Sequence, residues 1–458
     1  DSARRTVNNL KIRASVGSLG NQNVSNFAYL REISIKDFAG YSFGEGATMS
    51  KYAGIGNPKA GDLTWETSYQ YNLGLDLGML ANRLNFTAEA YIRDTKDMLT
   101  DGMSLPSVYG ASSPQSNSAD LRTKGYELSL SWRDEFNLGG HPFGYSLRGT
   151  LSDYDSHITK YKNNDKHLLT DYYEGMRLGD IWGFEVDGLF ASDEEARDYI
   201  NNVCNLETGD IWNNISNRMT GGFKGGDLKF VDLDGDGILS YGVTKDKDGN
   251  EITAPVRTLE NHGDLKILGN SLASLQYGLT ASFDYMGFDF SIFFQGTGNH
   301  YWYPQGFNYA FWGPYSYSYA TFIQKDFYVN KVWTEENPDA YYPRARSYST
   351  TGGELSWVNS RYLQNIRYLR LKNLTVGYTL PENLTGKIGL EKVRVYFSGE
   401  NLNYWSPLSK ATTYLDPESA FSRNTQTVAR AIKSSSDETD HMAYPWQKSF
   451  MFGIDITF

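Results

Sequence analysis

Read backwards from Phe458, the end of the chain alternates without a break. Phe458, Ile456, Ile454, Phe452 and Phe450 are large and apolar, while Thr457, Asp455, Gly453, Met451 and Ser449 between them are mostly small or polar. Successive side chains of a strand point to opposite faces, so this stretch is a ribbon with one greasy face and one wet face. Such a strand at the end of a chain needs a cover for its greasy face. In a transmembrane β-barrel lipid is that cover, and closure of the barrel removes the exposed edge.

The same alternation recurs along the chain. Leu10, Ile12, Ala14 and Val16 share one face, with Lys11, Arg13, Ser15 and Gly17 on the other. Tyr69, Tyr71, Leu73, Leu75, Leu77 and Met79 follow, and Leu80–Arg83 separates them from Leu84, Phe86, Ala88, Ala90 and Ile92, the spacing of a tight hairpin. Further members are Tyr126–Trp132, Phe143–Leu151, Leu275–Tyr285, Phe288–Phe294, a strand over about 366–380 and one over about 392–400. This predicts about ten long strands. Short turns alternate with long excursions near 18–62, 160–270, 298–362 and 403–443, as periplasmic turns and outer loops alternate in outer-membrane barrels. A soluble propeller or sandwich array predicts shorter strands and a fixed repeat period, and neither is present.

Composition agrees where it bears on this. Mean hydropathy is −0.51 although aromatics reach 15%, the combination expected of alternating strands with aromatic girdles. No apolar run approaches the roughly 18 residues that a membrane helix needs. The net charge of −11 argues against a nucleic-acid partner. The single cysteine, Cys204, excludes an intrachain disulfide framework. The six histidines are scattered and no nucleophile elbow or zinc-protease pairing occurs, so no enzyme is expected.

Leu369-Arg-Leu-Lys-Asn-Leu-Thr-Val-Gly-Tyr-Thr-Leu-Pro381, Val393-Arg-Val-Tyr-Phe-Ser-Gly-Glu-Asn-Leu402 and Tyr414-Leu-Asp-Pro-Glu418 resemble hallmark stretches of the SusC/RagA family of TonB-dependent outer-membrane transporters. Leu10–Gly17, Thr95–Leu99, Thr123–Leu128, Ile181–Phe190 and Gly226–Gly237 are similar to that family too, in the family's order and over nearly the whole chain. The resemblance implies an all-β transmembrane antiparallel barrel of about 22 strands with a plug in its lumen. It further implies a SusD-like surface lipoprotein as lid, energy from TonB, an oligosaccharide or oligopeptide as substrate, and the outer membrane of a Bacteroidetes-like Gram-negative cell. No plug or TonB box is found in the sequence, and about ten strands cannot close so wide a barrel. The whole of 1–458 is therefore expected to be the C-terminal part of the barrel, with the plug, the TonB box and the first strands in a remaining N-terminal part. A passive porin-like channel and a soluble glycan-binding β-protein are the alternatives.

Alternation places Lys11, Arg13, Glu127 and Arg133 on the lumen side and Phe450, Phe452, Ile454, Ile456 and Phe458 on the lipid side of the terminal strand. Asp232, Asp234 and Asp236 match the first half of a calcium loop. The position of the closing glutamate is Val243, so a structural calcium and a plain Asp/Gly turn both stay open. The aromatic stretch containing Tyr301, Trp302, Tyr303, Phe307, Tyr309, Phe311 and Trp312 is a candidate for contact with substrate or lid, against packing inside a large loop.

Overall fold

The computed structural model describes residues 6–21, 30–36, 51–59, 63–102, 106, 108, 110, 112–203, 222–240, 242–245, 251–304, 306, 308–316, 331–419 and 446–458. Cys204, Phe307 and the side chain of Tyr309 lie outside them. Among the described residues one antiparallel sheet of ten strands dominates. Its members are β1 (Val7–Asn21), β2 (Glu66–Met79), β3 (Leu84–Asp101), β4 (Gln115–Leu138) and β5 (His141–Tyr161). They continue with β6 (Ser274–Tyr285), β7 (Phe288–Asn299), β8 (Tyr368–Thr379), β9 (Lys392–Trp405) and β10 (Ser449–Thr457). Each pairs with its predecessor, so the sheet is a meander in chain order.

The short connections are built for right-handed twist. Gly139 and Gly140 both have positive φ (57° and 86°), as do Met286 and Gly287 (50° and 85°). Positive φ at both central residues is the two-residue hairpin turn whose twist matches the flanking strands. At the other end of the sheet the connections are the long excursions, and they carry the buried core: Trp302, Phe311, Trp312, Tyr315, Tyr342, Tyr362, Phe184 and Phe190 are fully buried there.

Several strands run past their predicted ends. β4 begins at Gln115 rather than near Tyr126, and β9 continues to Trp405, inside the stretch predicted as loop from 403. In β9 Asn401 takes positive φ (51°) and the register with β8 shifts there, so a bulge carries the strand onward. The excursion after β5 is itself ordered into two small antiparallel pairs, Asp180–Phe184 with Leu265–Asn270 and Val186–Leu189 with Leu228–Phe230, and a helix over Asp193–Asn202. Ser192 caps that helix by accepting from the Glu195 N–H at 3.1 Å.

A buried ion pair and a buried hydrogen bond lock the excursions together. Arg346 donates to both oxygens of the buried Asp227, at 2.9 and 2.6 Å. Glu354, fully buried beside them, accepts from the Leu228 N–H at 2.7 Å. Burial and the neighbouring Asp227 charge push the Glu354 carboxyl well above its usual range.

Candidate functional site

The sheet has two chemically distinct faces, in register. On one, Ile12 pairs with Leu75, Leu75 with Ala88, Ala88 with Leu128, and Leu128 with Leu151. On the later strands Tyr145 pairs with Phe283, Phe283 with Phe290, Phe290 with Val376, Val376 with Phe397, and Phe397 with Phe452. Many of these side chains are bare: Ile12 is 71% exposed and Phe452 83%. A continuous apolar band of this breadth exceeds what a soluble monomer leaves in water. Phe450, Ile454 and Ile456 lie exposed on β10 in the same band, and Phe458 is exposed just past its end.

The opposite face is polar. Arg13 lies between Asp76 (Nε to Oδ2, 2.9 Å) and Glu89 (Nη1 to Oε2, 3.4 Å), and Lys11 stands opposite Asp76 in the register. Glu127 pairs in register with Glu89 and Ser152, and Arg133 with Ser146; both are exposed. Arg394 bridges Asp289 (2.7 Å) and Asp455 (3.0 Å).

A cavity of about 840 Å³ opens on the polar face where β5 to β8 meet the long excursions. Two rungs of the sheet floor it: Ser152, Gln276, Thr297 and Tyr368, then Thr150, Gly278 and Gln295. Phe293, His300 and Glu418 also line it. Glu418 receives Lys372 at 2.8 Å through both carboxylate oxygens, and Arg370 Nε stands 3.0 Å from it. Arg370, itself buried, also pairs with Asp416. Burial lowers the His300 imidazole to about 4, so it is neutral at physiological pH. Sequence reasoning did not single out this cavity. The available signal was Phe293, an aromatic at a position where alternation calls for a polar residue.

The aromatic stretch of the second large excursion resolves differently from a contact surface. Trp302, Tyr303, Phe311 and Trp312 are buried: Phe311 and Trp312 pack with Tyr342, Trp312 also with Tyr362, and Trp302 and Tyr303 pack against Phe311 and Trp312. The Tyr303 hydroxyl donates to the carbonyls of Leu355 and Trp357, at 3.0 and 2.9 Å, and Trp312 Nε1 to that of Pro304, at 3.1 Å. These four residues therefore hold the loop's interior and present no face to a ligand, a correction to their candidacy. Tyr301 is half-buried at the edge of a smaller cavity.

Asp232, Asp234 and Asp236 bring their carboxylate oxygens within 4.8 Å of one another. The turn is closed by its own N–H donors: Gly235 and Gly237 donate to Asp232 at 2.7 and 2.8 Å, and Ile238 to Asp236 at 2.7 Å. Beneath it the buried Asp264 accepts from Leu233 and Ser240 at 2.6 and 2.7 Å. Oxygen ligands at this spacing suit a hard cation such as calcium.

No family model matches this chain. A TonB-dependent receptor of Formosa agariphila is 27% identical over 466 residues, covering 99% of this chain and 40% of that protein. SusC of Bacteroides thetaiotaomicron, also a TonB-dependent receptor, is 24% identical over 462 residues, covering 99% of this chain and 38% of its own. The chain is thus similar in sequence to TonB-dependent receptors, SusC among them. The solved structure of the RagAB peptide transporter matches with a TM-score of 0.63 at 18% identity, over 99% of this chain and 41% of that one. The ten-stranded sheet thus shares its fold with part of that transporter. The chain spans about 40% of the length of the receptors it matches.

Proposed function

We propose that this chain is part of the wall of an outer-membrane, TonB-dependent importer of oligosaccharides or oligopeptides in a Bacteroidetes-like Gram-negative cell. The observation that carries the reading is the in-register apolar band on one face of a ten-stranded sheet whose other face is charged. Lipid covers the first face, and the second borders a watery lumen. β1 and β10, the two edges of the described sheet, are where the remaining strands of a closed wall pair. The plug and the TonB contact belong to the remaining N-terminal part. A SusD-like surface lipoprotein sits over the long excursions as a lid. Lys11, Arg13, Glu127 and Arg133 face the plug and the path of the substrate. No bond is made or broken on this chain: capture between wall and lid is followed by plug movement. The carboxylates of Asp232, Asp234 and Asp236 hold a calcium ion that pins their loop and has no part in transport chemistry.

Fractionation of cells making the full-length protein tests the reading. It predicts extraction from outer membranes by detergent alone, heat-modifiable gel mobility, a co-purifying surface lipoprotein, and uptake that stops when TonB is deleted. Recovery in the soluble fraction without detergent would overturn it.

A further inference from the structure

The cavity at the loop end of β5 to β8 has a more specific chemistry than the importer reading requires. We infer that it is a binding subsite for one uncharged, hydroxyl-rich ring, a neutral sugar unit of a longer oligosaccharide. The inference rests on the importer reading and narrows its substrate to neutral glycans.

Its floor offers paired donors and acceptors without charge. Gln276 and Thr297 face each other on one rung, with Gln295 on the next. A carboxamide presents one acceptor and two donors on a short arm, which matches vicinal hydroxyls that both donate and accept. Thr297 is among the lining residues, and its Oγ1, itself buried, has no hydrogen-bond partner. A buried hydroxyl is rarely left unpaired, because its desolvation is then uncompensated. A ligand hydroxyl at this point completes it.

The ring at Phe293 supplies the apolar half of sugar recognition. It is half-buried on the otherwise polar face, opposite Thr280 in the register. Beside it is Gly278, where an added Cβ would come within 3.4 Å of the ring and 3.0 Å of Thr150 Oγ1. The glycine leaves room for the ring to lie close to the sheet. A flat aromatic face of this kind suits the C–H face of a sugar ring.

Charge and topology disfavour a peptide here. The lining carboxylate, Glu418, is taken up by Lys372 and Arg370. His300 is neutral, so no described lining residue offers a free charge to a peptide terminus, an acidic side chain or a uronate. Peptides are also bound by adding a strand to an open sheet edge. At the cavity β5, β6, β7 and β8 are all paired with one another in order, and no edge is open.

The test is calorimetry on the full-length transporter, purified with its lipoprotein partner. The probes are maltohexaose, cellohexaose, xylohexaose, laminarihexaose and mannohexaose, with an oligogalacturonate and a tryptic digest of casein as charged and peptide counter-probes. One neutral oligosaccharide should bind. Phe293→Ala and Gln295→Ala should each weaken it by about tenfold or more, and Phe293→Tyr should retain it. Heat-modifiable mobility reports that each variant is folded. Binding of no neutral probe overturns the inference, as does binding of the peptides or the oligogalacturonate in their place. Affinities that stay within about twofold in both alanine variants overturn it too. TonB-dependent uptake of peptides would sink the sugar subsite while leaving the importer reading intact. Absence from the outer membrane would sink both.

Discussion

Arg394 on β9 donates to both carboxylate oxygens of Asp289 on β7, at 2.8 and 2.7 Å, across the intervening strand β8. The crossing is possible because β8 carries Gly377 at that point: an added Cβ would sit 2.4 Å from Asp289 Oδ1 and 2.7 Å from Arg394 Nε. Arg13 uses the same device on β1, reaching Glu89 on β3 over Gly74 of β2, where a Cβ would meet its guanidinium at 2.8 Å. These glycines are thus windows for ion pairs that span three strands. Because the Arg394–Asp289 pair is partly open to water, it is worth about 1 kcal/mol at most. Overpacking the window costs more. Gly377→Val should therefore destabilise the wall by about 1–3 kcal/mol, more than Arg394→Met does, as read from urea unfolding in detergent. Equal losses from the two substitutions would mean that the window is not what the glycine provides.

On the opposite face the expected penalty has another origin. Ile454 is 66% exposed in the apolar band, and its neighbour Asp455 points to the polar side and pairs with Arg394. Ile454→Arg should cost about 2–4 kcal/mol if the band lies near the bilayer midplane. Glu127→Arg, on the polar face, should leave folding nearly unchanged. Heat-modifiable mobility and folding yield into lipid vesicles separate the two. Similar yields for both variants would remove the physical basis for a lipid-facing band.

The wall was legible in the sequence because its signal is local. Lipid on one side and water on the other write a period of two directly into segments such as Leu10–Gly17 and Phe450–Phe458. Beyond the bilayer that contrast ends. Ser118, Ala119 and Asp120 of β4 are buried under the loops, and there strand continuation depends on backbone pairing with β3 and β5, which leaves no apolar period to read. The aromatic stretch Tyr301–Trp312 was ambiguous for a related reason. Whether Trp312 is core or surface depends on Tyr342 and Tyr362, residues distant in the chain that no local pattern connects to it.

Tyr342 is the hub of that loop core. It stacks on Tyr362 with an interplanar angle of 13° and on Tyr315 with one of 25°, and its hydroxyl donates to the Phe311 carbonyl at 2.7 Å. Tyr342→Phe should cost the loops about 1 kcal/mol through one orphaned carbonyl. Tyr342→Ala should cost about 3–5 kcal/mol through the cavity it leaves. Limited proteolysis is expected to cut the second variant within 300–367 while the ten-stranded wall stays intact. Collapse of the wall itself in Tyr342→Ala would show that the loops and the sheet fold as one unit.

Asp264 gives the acidic loop a pH dependence of defined sign. Burial is the largest cause that raises its carboxyl to about 6 from the ordinary 3.8, and the charges of Asp234 and Asp232 add to it. With the folded value above the unfolded one, the folded state holds a proton that the unfolded chain has released. The loop is then most stable below about pH 4, loses stability as pH rises towards 6, and stays at the lower level above it. Calcium on Asp232, Asp234 and Asp236 would reverse the electrostatics, since a divalent charge favours the ionised Asp264. Hydrogen-exchange protection of residues 232–240, taken relative to the intrinsic exchange rate at each pH, should therefore be greater at pH 5 than at pH 7.5 in the absence of calcium, with calcium restoring it at pH 7.5. Asp264→Asn should abolish the pH effect in either medium. If calcium leaves exchange at pH 7.5 unchanged in the parent protein, the three carboxylates form a turn held by their own backbone donors and no cation belongs there.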